Sequence, residues 1–366
     1  MKVERLEWLN FRNLSGGFLT PCDSVNTIFG ENAQGKTNLL EALWLFTGVR
    51  SFRGAKDSEL VRMGRDAAAL KIGFSSEERS QTAEIHIENG KKTAWLNSVP
   101  LKSCSGLIGN FRVVAFSPEN ISLVSGGPVL RRNFMDLALC EVKPGYASLL
   151  GRYGRTLFQR NALLKDIPRH SELLDSLDIW DEKLSVYGEK VTALREAYLE
   201  RLRGPAEAFY SGICGNREKI GLIYRKNAQN LKESLFQARA EDIALGHTSV
   251  GPHRDDMELT IDSVPARTFA SQGQKRSAVL ALKLAEAELL FRDSGEEPVI
   301  LLDDVMSELD TGRQDYLFNH LDRFQVFITC CEPGVSMKNR SGRFFEVSGG
   351  FVGPKTEPSA SVRETG

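Results

Sequence analysis

Short apolar and alternating stretches dominate the first third of the chain. Such stretches cover residues 2–9, 25–29, 69–74 and 112–116. Alternation of apolar and polar side chains indicates strands with one buried face, and a short continuous apolar run is typical of a fully buried strand. Residues 82–88 and 92–96 flank Asn89-Gly90, a dipeptide that tolerates the positive φ angles of a tight hairpin turn. The pattern predicts a mixed sheet with an antiparallel N-terminal part.

The pattern becomes helical after about residue 129. Between Leu177 and Leu202, apolar side chains recur at alternating steps of three and four residues, so they line one face of a helix. This stripe is short for a coiled coil, and Gly204-Pro205 is predicted to end it because proline removes a helical hydrogen bond. We therefore expect the stripe to pack inside a compact helical lobe, with a coiled coil as the alternative.

Strands and helices alternate again after residue 256. The predicted elements are strand 258–261, helix 274–292, strand 298–302, a helix after Ser307 and strand 325–329. Two α/β segments thus bracket a helical one. Residues 349–366 contain too few apolar side chains to form a core, so this tail is predicted to be disordered.

Composition and charge limit the classes of protein that fit this pattern. The 366 residues are 41% hydrophobic, which is enough for two domains or for one domain with an insertion. No apolar run reaches the roughly 18 residues of a membrane span, and the N-terminus is charged, so we expect a cytoplasmic protein. The six cysteines form no CxxC pair. The net charge of −1 argues against coating of nucleic acid through overall charge but leaves room for a basic patch.

A glycine-rich loop is the strongest chemical motif in the chain. The segment GENAQGKT, residues 30–37, follows the strand at 25–29 and precedes a helix predicted at 37–47. This context and the spacing GxxxxGK[ST] identify a phosphate-binding loop, or P-loop. Its backbone N–H groups attract phosphate, Lys36 neutralises phosphate oxygens, and the Thr37 hydroxyl can ligate Mg²⁺. The predicted nucleotide-binding residues are Gly30, Glu31, Asn32, Ala33, Gln34, Gly35, Lys36 and Thr37.

Two consecutive aspartates follow the apolar strand at 298–302. Asp303 is placed to hold Mg²⁺ together with Thr37, because an aspartate at the end of a buried strand is the usual second anchor of this metal. Asp304 would stand beside the γ-phosphate, where a carboxylate orients or deprotonates the attacking water. The alternative is that both aspartates only cap the end of the strand.

The spacing of these two motifs narrows the class of nucleotide-binding protein. About 266 residues separate Lys36 from Asp303, so a domain-sized segment is inserted into the nucleotide-binding fold. ATPase heads of the ABC type carry a helical lobe there, whereas P-loop kinases and small GTPases do not. Such a head also has a serine- and glycine-rich turn that contacts the γ-phosphate bound by its partner subunit. The residues that match this turn are Ser271, Gln272, Gly273 and Gln274, and SELD at 307–310 matches the dimer contact after the acidic strand.

These motifs, with LLDD in place of LLDE, resemble the RecF family of bacterial DNA recombination and repair proteins. Similar segments are LEWLNFRNL (6–14), FSPENISLVSGGPVLRRNFMDL (116–137), HTSVGPHRDDMEL (247–259) and SQGQKRSAVLALKLAE (271–286). The resemblance implies an ABC-type α/β ATPase head, related to the heads of SMC proteins but without their long coiled coil. The expected division is a head at 1–120 and 246–348, an inserted, mainly helical lobe at 121–245, and the tail at 349–366.

The resemblance also implies a function in recombinational repair and replication. An ATP-dependent homodimer would bind single- and double-stranded DNA at junctions or gaps, cooperate with RecO and RecR, and help RecA to load in the SOS response to DNA damage. ATP and Mg²⁺ would occupy Gly30–Thr37 and Asp303, and the turn Ser271–Gln274 would reach across the dimer. Asp304, one methylene shorter than the usual catalytic Glu, predicts a weak, DNA-stimulated ATPase in which slow hydrolysis resets the dimer.

Two departures from ABC transporters separate the competing functions. Thr329-Cys330 stands where transporters usually have a switch His, and residues 116–120 lack the Gln of their Q-loop. These departures disfavour a nucleotide-binding subunit of an ABC transporter, which is the alternative. A P-loop kinase or a switch protein unrelated to DNA is a third hypothesis.

Several basic side chains are candidates for further contacts. Arg12 is predicted to approach the nucleotide. His253 and Arg254 are predicted either to contact DNA or nucleotide or to form structural hydrogen bonds. A helix predicted at 146–165 carries basic residues that would either bind DNA phosphates or form a solvated face. These residues are Arg152, Arg155 and Arg160.

Overall fold

The computed structural model describes residues 1–77, 79–332 and 342–355. The strands are β1 (Lys2–Phe11), β2 (Leu14–Leu19), β3 (Val25–Phe29), β4 (Ala67–Ser76), β5 (Arg79–Glu88), β6 (Lys91–Leu96), β7 (Val99–Pro100), β8 (Val113–Phe116), β9 (Ile220–Arg225), β10 (Asp256–Ile261), β11 (Val264–Pro265), β12 (Val299–Asp303), β13 (Val326–Cys330), β14 (Gly342–Ser348) and β15 (Phe351–Lys355). The α-helices are α1 (Lys36–Leu45), α2 (Ser122–Ser125), α3 (Pro128–Val142), α4 (Tyr146–Asp166), α5 (Leu177–Cys214), α6 (Leu231–Gln237), α7 (Arg239–Leu245), α8 (Ala266–Phe269), α9 (Gln272–Ser294) and α10 (Thr311–Leu321). Short 3-10 helices lie at Asp57–Leu60, Cys104–Leu107, Pro118–Ile121, Ser171–Ser176 and Val305–Glu308.

The chain divides into two compact units. The first comprises Met1–Asn120 and Glu286–Gly366, within which residues 78, 333–341 and 356–366 lie outside the described ranges, and the second comprises Ile121–Ala285. No helix among the described residues combines the length and hydropathy that a membrane span needs.

A largely parallel sheet forms the part of the first unit that carries the P-loop. Its strand order is β15-β14-β3-β13-β12-β8, and only β15 runs antiparallel to its neighbour. Every residue of β12 and β13 is buried, which explains why both strands read as uninterrupted apolar runs. Because parallel strands end at the same edge, the C-terminal ends of β3, β13 and β12 lie side by side.

The predicted antiparallel part forms a sheet of its own in the first unit. Its order is β2-β1-β4-β5-β6-β7, so the antiparallel part is present as a second sheet, while the P-loop sheet is itself mixed through β15. Asn89 and Gly90 have φ angles of 51° and 69° between β5 and β6, which confirms the predicted hairpin turn.

The second unit combines helices with the three-stranded sheet β11-β10-β9. The predicted stripe lies in α5, where Leu184 and Val191 are fully buried in an apolar cluster with Tyr153 and Leu231. The expectation that Gly204-Pro205 ends the stripe is wrong, since α5 continues through Pro205 to Cys214. Buried residues beyond the proline hold the helix together despite the hydrogen bond that proline removes. They are Ala206, Tyr210 and Cys214.

Two boundaries differ from the expected division. The compact helical unit ends at Ala285 rather than at residue 245, because β9 pairs with β10 and thereby holds both sides of the expected boundary together. The predicted disordered tail does not begin at Gly349, because Gly349 and Gly350 form the turn between β14 and β15. Residues 356–366 of that tail lie outside the described residues.

Candidate nucleotide-binding site

The P-loop joins β3 to α1 in a conformation that depends on two glycines. Gly30 has a φ of 149° and Gly35 a φ of 118°, both in the region that favours glycine. A Cβ on Gly30 would lie 2.3 Å from the backbone oxygen of Val347, and one on Gly35 would lie 2.6 Å from Oδ1 of Asn13. The loop therefore wraps tightly around the N-terminus of α1, where free N–H groups favour an anion.

Lys36 is held inside the loop by neutral groups. Its side chain is only 8% exposed, and Nζ donates to the backbone oxygens of Gly30 at 2.6 Å and Glu31 at 2.9 Å. A buried ammonium group requires such partners, but two neutral carbonyls do not compensate its charge. An anionic ligand in the loop would therefore bind Lys36 more strongly than the carbonyls do.

Asp303, the last residue of β12, accepts hydrogen bonds from the first turn of α1 and from the end of β13. The hydroxyls of Thr37 and Thr329 both donate to its Oδ1 atom at 2.8 Å. The carboxyl is 7% exposed, and this burial raises its pKa, while the bonds from Thr329 and Thr37 act in the opposite direction. A nearby cation would offset the cost of burying the ionised form.

The same residues fit a magnesium ion that is shared with phosphates. Mg²⁺ prefers oxygen ligands, takes one or two from the protein, and obtains the others from water and from substrate phosphates. Thr37 and Asp303 supply a hydroxyl and a carboxylate within hydrogen-bond distance of each other. No group of three or more His, Cys, Asp or Glu side chains that could hold a metal occurs within residues 1–77, 79–332 and 342–355. The ion would thus depend on the nucleotide for its remaining ligands.

Asp304 adopts a left-handed backbone conformation directly after β12. Its φ is 51°, which is unfavourable for a residue with a Cβ. The backbone N–H of Asp304 donates to Oγ1 of Thr329 at 2.9 Å, and Oγ of Ser307 donates to its carbonyl oxygen at 2.8 Å. These two bonds hold the residue in this conformation, and its side chain lines the cavity above the P-loop.

Several residues that sequence reasoning did not predict shape the site. Thr329 connects both aspartates, although the sequence marked it only as a departure from the transporter switch His. Asn13 donates to the oxygen of Ala33 at 3.1 Å and accepts from Nδ2 of Asn38 at 2.8 Å, so it fixes the P-loop from the side. The polar pair Arg12-Asn13 that follows β1 and the polar end of β13 were the available signals.

Arg12 lines the cavity, but its guanidinium is held by Glu41. Nε and Nη2 donate to the two oxygens of this buried carboxylate, each at 2.8 Å, and Nη1 donates to the oxygen of Glu59 at 3.0 Å. Such a two-pronged ion pair orients the guanidinium firmly. Glu41 on α1 thus positions Arg12 at the rim of the cavity.

The turn between β14 and β15 also supports the P-loop. The backbone N–H of Gly349 donates to Oε1 of Gln34 at 2.6 Å. Gly349 and Gly350 both have positive φ, and a Cβ on Gly350 would lie 2.3 Å from the oxygen of Asn13. The segment predicted to be disordered therefore begins with a structural part of the site.

The cavity above these groups has a volume of about 1010 Å³. Twelve of its 18 lining residues have polar side chains, and all 18 belong to the first unit. The lining residues are Arg12, Asn13, Asn32, Ala33, Gln34, Gly35, Lys36, Thr37, Asn38, Arg53, Glu59, Val61, Arg62, Met63, Asp304, Thr329, Gly349 and Gly350. Comparisons with known proteins identify the family of the chain. The family model described as the RecF/RecN/SMC N terminal domain matches residues 2–348.

Full-length relatives identify the branch of this family. A protein of Agathobacter rectalis named DNA replication and repair protein RecF is 40% identical over 343 residues, which cover 93% of this chain and 95% of the relative. A protein of the same name from Ruminiclostridium cellulolyticum is 38% identical and covers 96% of this chain and 99% of the relative. The chain belongs to the RecF family.

Solved structures confirm the predicted fold of this RecF-family chain. A structure described as the recombination mediator protein RecF-ATP in the RecFOR pathway superposes with a TM-score of 0.91 at 38% identity, covering 97% of this chain and 98% of that one. An Smc head bound to the C-winged helix domain of ScpA gives a TM-score of 0.60 at 15% identity, covering 97% of each chain. The latter likeness shows that the ATPase-head fold is shared.

The predicted partner-contacting turn of this RecF-family chain lies in the second unit. Ser271 precedes α9 and accepts from the N–H of Gln274 at 3.2 Å, while Gln274 Oε1 accepts from the N–H of Ser271 at 2.8 Å. This reciprocal capping box fixes the N-terminus of α9. Gln274 also donates to Glu218 at 2.9 Å. Ser271 and Gln272 are exposed.

The basic candidates on α4 separate into two kinds. Arg160 is fully buried, donates to Asp181 at 2.6 Å and to Asp242 at 2.7 Å, and cannot face DNA. Its assignment as a DNA contact is wrong, because its helical position points into the core of the second unit. Arg152 and Arg155 are exposed.

His253 is part of the internal structure of the second unit. Its Nε2 lies 3.1 Å from the oxygen of Thr248, and its Nδ1 lies 2.6 Å from the hydroxyl of Tyr153. Burial lowers the pKa of His253, and a neutral ring that donates from Nε2 and accepts at Nδ1 satisfies both contacts. This geometry supports the structural alternative, while Arg254 is exposed.

Proposed function

We propose that this chain is an ATP-binding and DNA-binding protein of recombinational repair and replication, in which ATP switches a monomer into a homodimer. One observation carries the proposal. Lys36, Thr37 and Asp303 converge at one end of a buried parallel sheet, in a chain that is 38% identical to a RecF whose structure is described with ATP. Lys36 is bonded to carbonyl oxygens that a phosphate would replace, and the Thr37–Asp303 hydrogen bond is one that a metal ion would replace.

Each residue has a distinct task in the proposed site. The P-loop N–H groups bind the phosphates, and Lys36 leaves its two carbonyl partners to contact phosphate oxygens. Thr37 and Asp303 hold Mg²⁺, which neutralises phosphate charge when it is bound. Asp304 accepts a hydrogen bond from the attacking water and orients it. Because Asp304 reaches less far than a glutamate, hydrolysis is slow and serves to reset the switch.

The proposed dimer makes the site composite. The turn Ser271–Gln274 offers a serine hydroxyl and helix N–H groups to an anion, and it does not belong to the unit that contains the P-loop. In the proposal, a second copy of the chain presents this turn to the γ-phosphate. SELD at 307–310 adds a dimer contact beside Asp304, where Asp310 caps α10 through the N–H of Arg313.

The biological setting follows from the family. We place the homodimer at junctions between single- and double-stranded DNA or at gaps, in the cytoplasm, where it acts with RecO and RecR to load RecA. The name DNA replication and repair protein RecF, borne by relatives that cover more than 90% of this chain, and the RecFOR pathway of the solved relative support this setting. An ABC transporter subunit, the alternative, has no comparable support.

Sedimentation velocity tests the switch directly. The protein is compared with ATP and with ADP, with and without gapped duplex DNA at low salt, beside the variants Lys36→Arg and Asp303→Asn. We expect ATP to convert the wild type into a dimer that co-sediments with gapped DNA, and both variants to remain monomeric. A monomer that ignores both ATP and gapped DNA would reject the proposal. Phosphate release well above about one per second would reject slow hydrolysis.

A further inference from the structure

A groove between α4 and α5 in the second unit is open to solvent and has a volume of about 630 Å³. Three cationic and three aromatic side chains line it, and we call it the aromatic–basic groove. They are Arg152, Arg155, Phe158, Trp180, Lys183 and Tyr187. No carboxylate lines this groove in the part of the chain that the structure describes.

The charge of the groove is not cancelled by the acidic residues nearby on α5. The three that precede Lys183 are each paired with a cation that does not line the groove, which leaves the three lining cations in excess. The pairs are Asp178 with Arg239, Asp181 with Arg160 and Arg239, and Glu182 with Lys232. A groove of this charge favours an anionic ligand.

The three aromatic side chains are all accessible to some degree, and Phe158 is the most exposed of them. Phe158 is 70% exposed on α4, and Trp180 and Tyr187 are half-buried on α5. Lys183 Nζ lies 5.3 Å from the centre of the Trp180 ring, so cation and ring face the same space. A Cβ on Gly154 would meet nothing within 4 Å, which leaves room for a flat group beside α4.

We propose that the aromatic–basic groove binds single-stranded DNA. Bases stack on Phe158, Trp180 and Tyr187, while Arg152, Arg155 and Lys183 contact the phosphates. A blunt duplex keeps its bases stacked inside the helix and cannot use these rings. The assignment rests on the proposed DNA-binding function. It provides a separate binding site for the unpaired strand of a DNA junction.

Fluorescence anisotropy with a labelled 15-nucleotide oligo(dT) tests the assignment on the full chain. Phe158→Ala and Trp180→Ala are each expected to weaken binding roughly 5- to 100-fold, as the loss of one stacked base requires. Arg152→Gln and Arg155→Gln should each lower the salt dependence of binding by about 0.7 on a double-logarithmic plot. Binding of a blunt duplex should change little in Phe158→Ala and Trp180→Ala.

Matched variants serve as controls. Phe351→Ala removes an equally accessible ring from β15, Lys102→Gln removes an exposed charge from the first unit, and neither should alter oligo(dT) binding. Trp180→Phe keeps a stacking ring, so it should retain affinity while losing most of the tryptophan quenching by oligo(dT). Trp8 and Trp44 are buried, and the half-buried Trp95 belongs to the first unit and does not line the groove, so these three should contribute little to that quenching.

Failure of the inference is distinguishable from failure of the proposed function. If the wild type binds oligo(dT) and both Phe158→Ala and Trp180→Ala bind it equally well, the groove assignment is overturned and the rings belong to a protein contact. Binding of oligo(rU) without oligo(dT) would also overturn the assignment to DNA. If the wild type binds neither single strands nor gapped duplex, the proposed DNA-binding function is rejected.

Discussion

Both units of this RecF-family chain bury charged side chains, but the charges beside the P-loop are compensated differently from those of the second unit. In the first unit, Lys36 is held by carbonyl oxygens and Asp303 by hydroxyls, all of them neutral. In the second unit, Arg160 is bonded to Asp181 and Asp242, so opposite charges neutralise each other. We infer from this difference that Lys36 and Asp303 await a ligand, whereas the paired charges of the second unit stabilise the fold.

The second unit contains further ion pairs in which opposite charges neutralise each other. Arg195 donates with two nitrogens to the two oxygens of Asp136, each at 2.7 Å, and Arg131 binds Asp256 in the same way. Such pairs leave few polar atoms for a ligand. They instead fix the positions of α3, α5 and β10 within the unit, because loss of one partner strands a buried charge.

Removal of one partner of a buried ion pair should produce the largest loss of stability. Arg160→Met leaves Asp242 buried without its cation, and we expect the free energy of unfolding of the second unit to fall by about 3–5 kcal/mol. Arg155→Met on the same helix removes an exposed cation, and its effect should stay within about 0.5 kcal/mol. Urea denaturation measures both. Equal losses would show that the buried pair has no special role.

Removal of the Lys36 cation, which is held by neutral carbonyls, should affect ATP binding more than stability. Lys36→Met loses a charge-assisted contact to phosphate, so we expect ATP affinity to drop roughly 10- to 100-fold. The free energy of unfolding should change by no more than about 1 kcal/mol, since only hydrogen bonds to carbonyls are lost. Isothermal titration with ATP and urea denaturation give the two values. A large loss of stability with unchanged ATP affinity would show that Lys36 stabilises the fold rather than binds the ligand.

The turn that supports the P-loop offers a matched pair of variants. Gly350→Ala introduces a Cβ at a φ of 78° and at 2.3 Å from the oxygen of Asn13, whereas Gly349→Ala has a φ of 58° and open space. We expect a loss of about 2–3 kcal/mol for Gly350→Ala and about 1 kcal/mol for Gly349→Ala. Thermal denaturation ranks them, and identical midpoints would contradict the packing of this turn against Asn13.

Asp303→Asn should leave the fold intact while it abolishes the effect of magnesium. An asparagine oxygen can still accept from Thr37 and Thr329, so both hydrogen bonds persist. We expect Mg²⁺ to raise ATP affinity in the wild type but not in the variant, as titration calorimetry would show. Asp304→Asn is the control and should retain magnesium-dependent binding while losing hydrolysis.

The pH dependence of stability sharpens the same prediction. Burial raises the pKa of Asp303, so the fold disfavours the ionised carboxylate relative to the unfolded chain. Above the raised pKa, the neutral variant should be at least as stable as the wild type. The difference in unfolding free energy between the variant and the wild type should shrink as pH falls through that pKa, because the wild-type carboxyl then takes up a proton. Urea denaturation at pH 7 and pH 4 tests the sign.

Local patterns were sufficient to predict the elements and the central motifs. Apolar runs predicted β3, β12 and β13, and the P-loop and LLDD motifs could then be placed at strand ends. The sequence could not show that Thr329 joins Asp303 to Asp304, because that contact depends on which strands are neighbours in the sheet. Parallel neighbours come from distant parts of the chain.

Burial on a helix and the order of a short tail were harder to predict. Arg152, Arg155 and Arg160 look alike in sequence, but only the last meets Asp181 and Asp242, which come from α5 and α7. The tail has a weak apolar pattern, yet its two glycines form a turn whose stability comes from contacts with the P-loop. Packing against distant residues outweighed local composition in both cases.

The central claim is that one copy of the chain completes the nucleotide site of another, and a mixing experiment tests it most directly. Ser271→Asp keeps an N-cap residue on α9 but places a negative charge toward the γ-phosphate, whereas Ser271→Thr, the control, keeps a neutral hydroxyl. Lys36→Met cannot bind ATP well but retains a normal turn. We predict that each of Lys36→Met and Ser271→Asp alone lacks ATP-dependent dimerisation and hydrolysis, and that their mixture recovers both through one intact composite site. A mixture as inactive as its separate components would contradict the account.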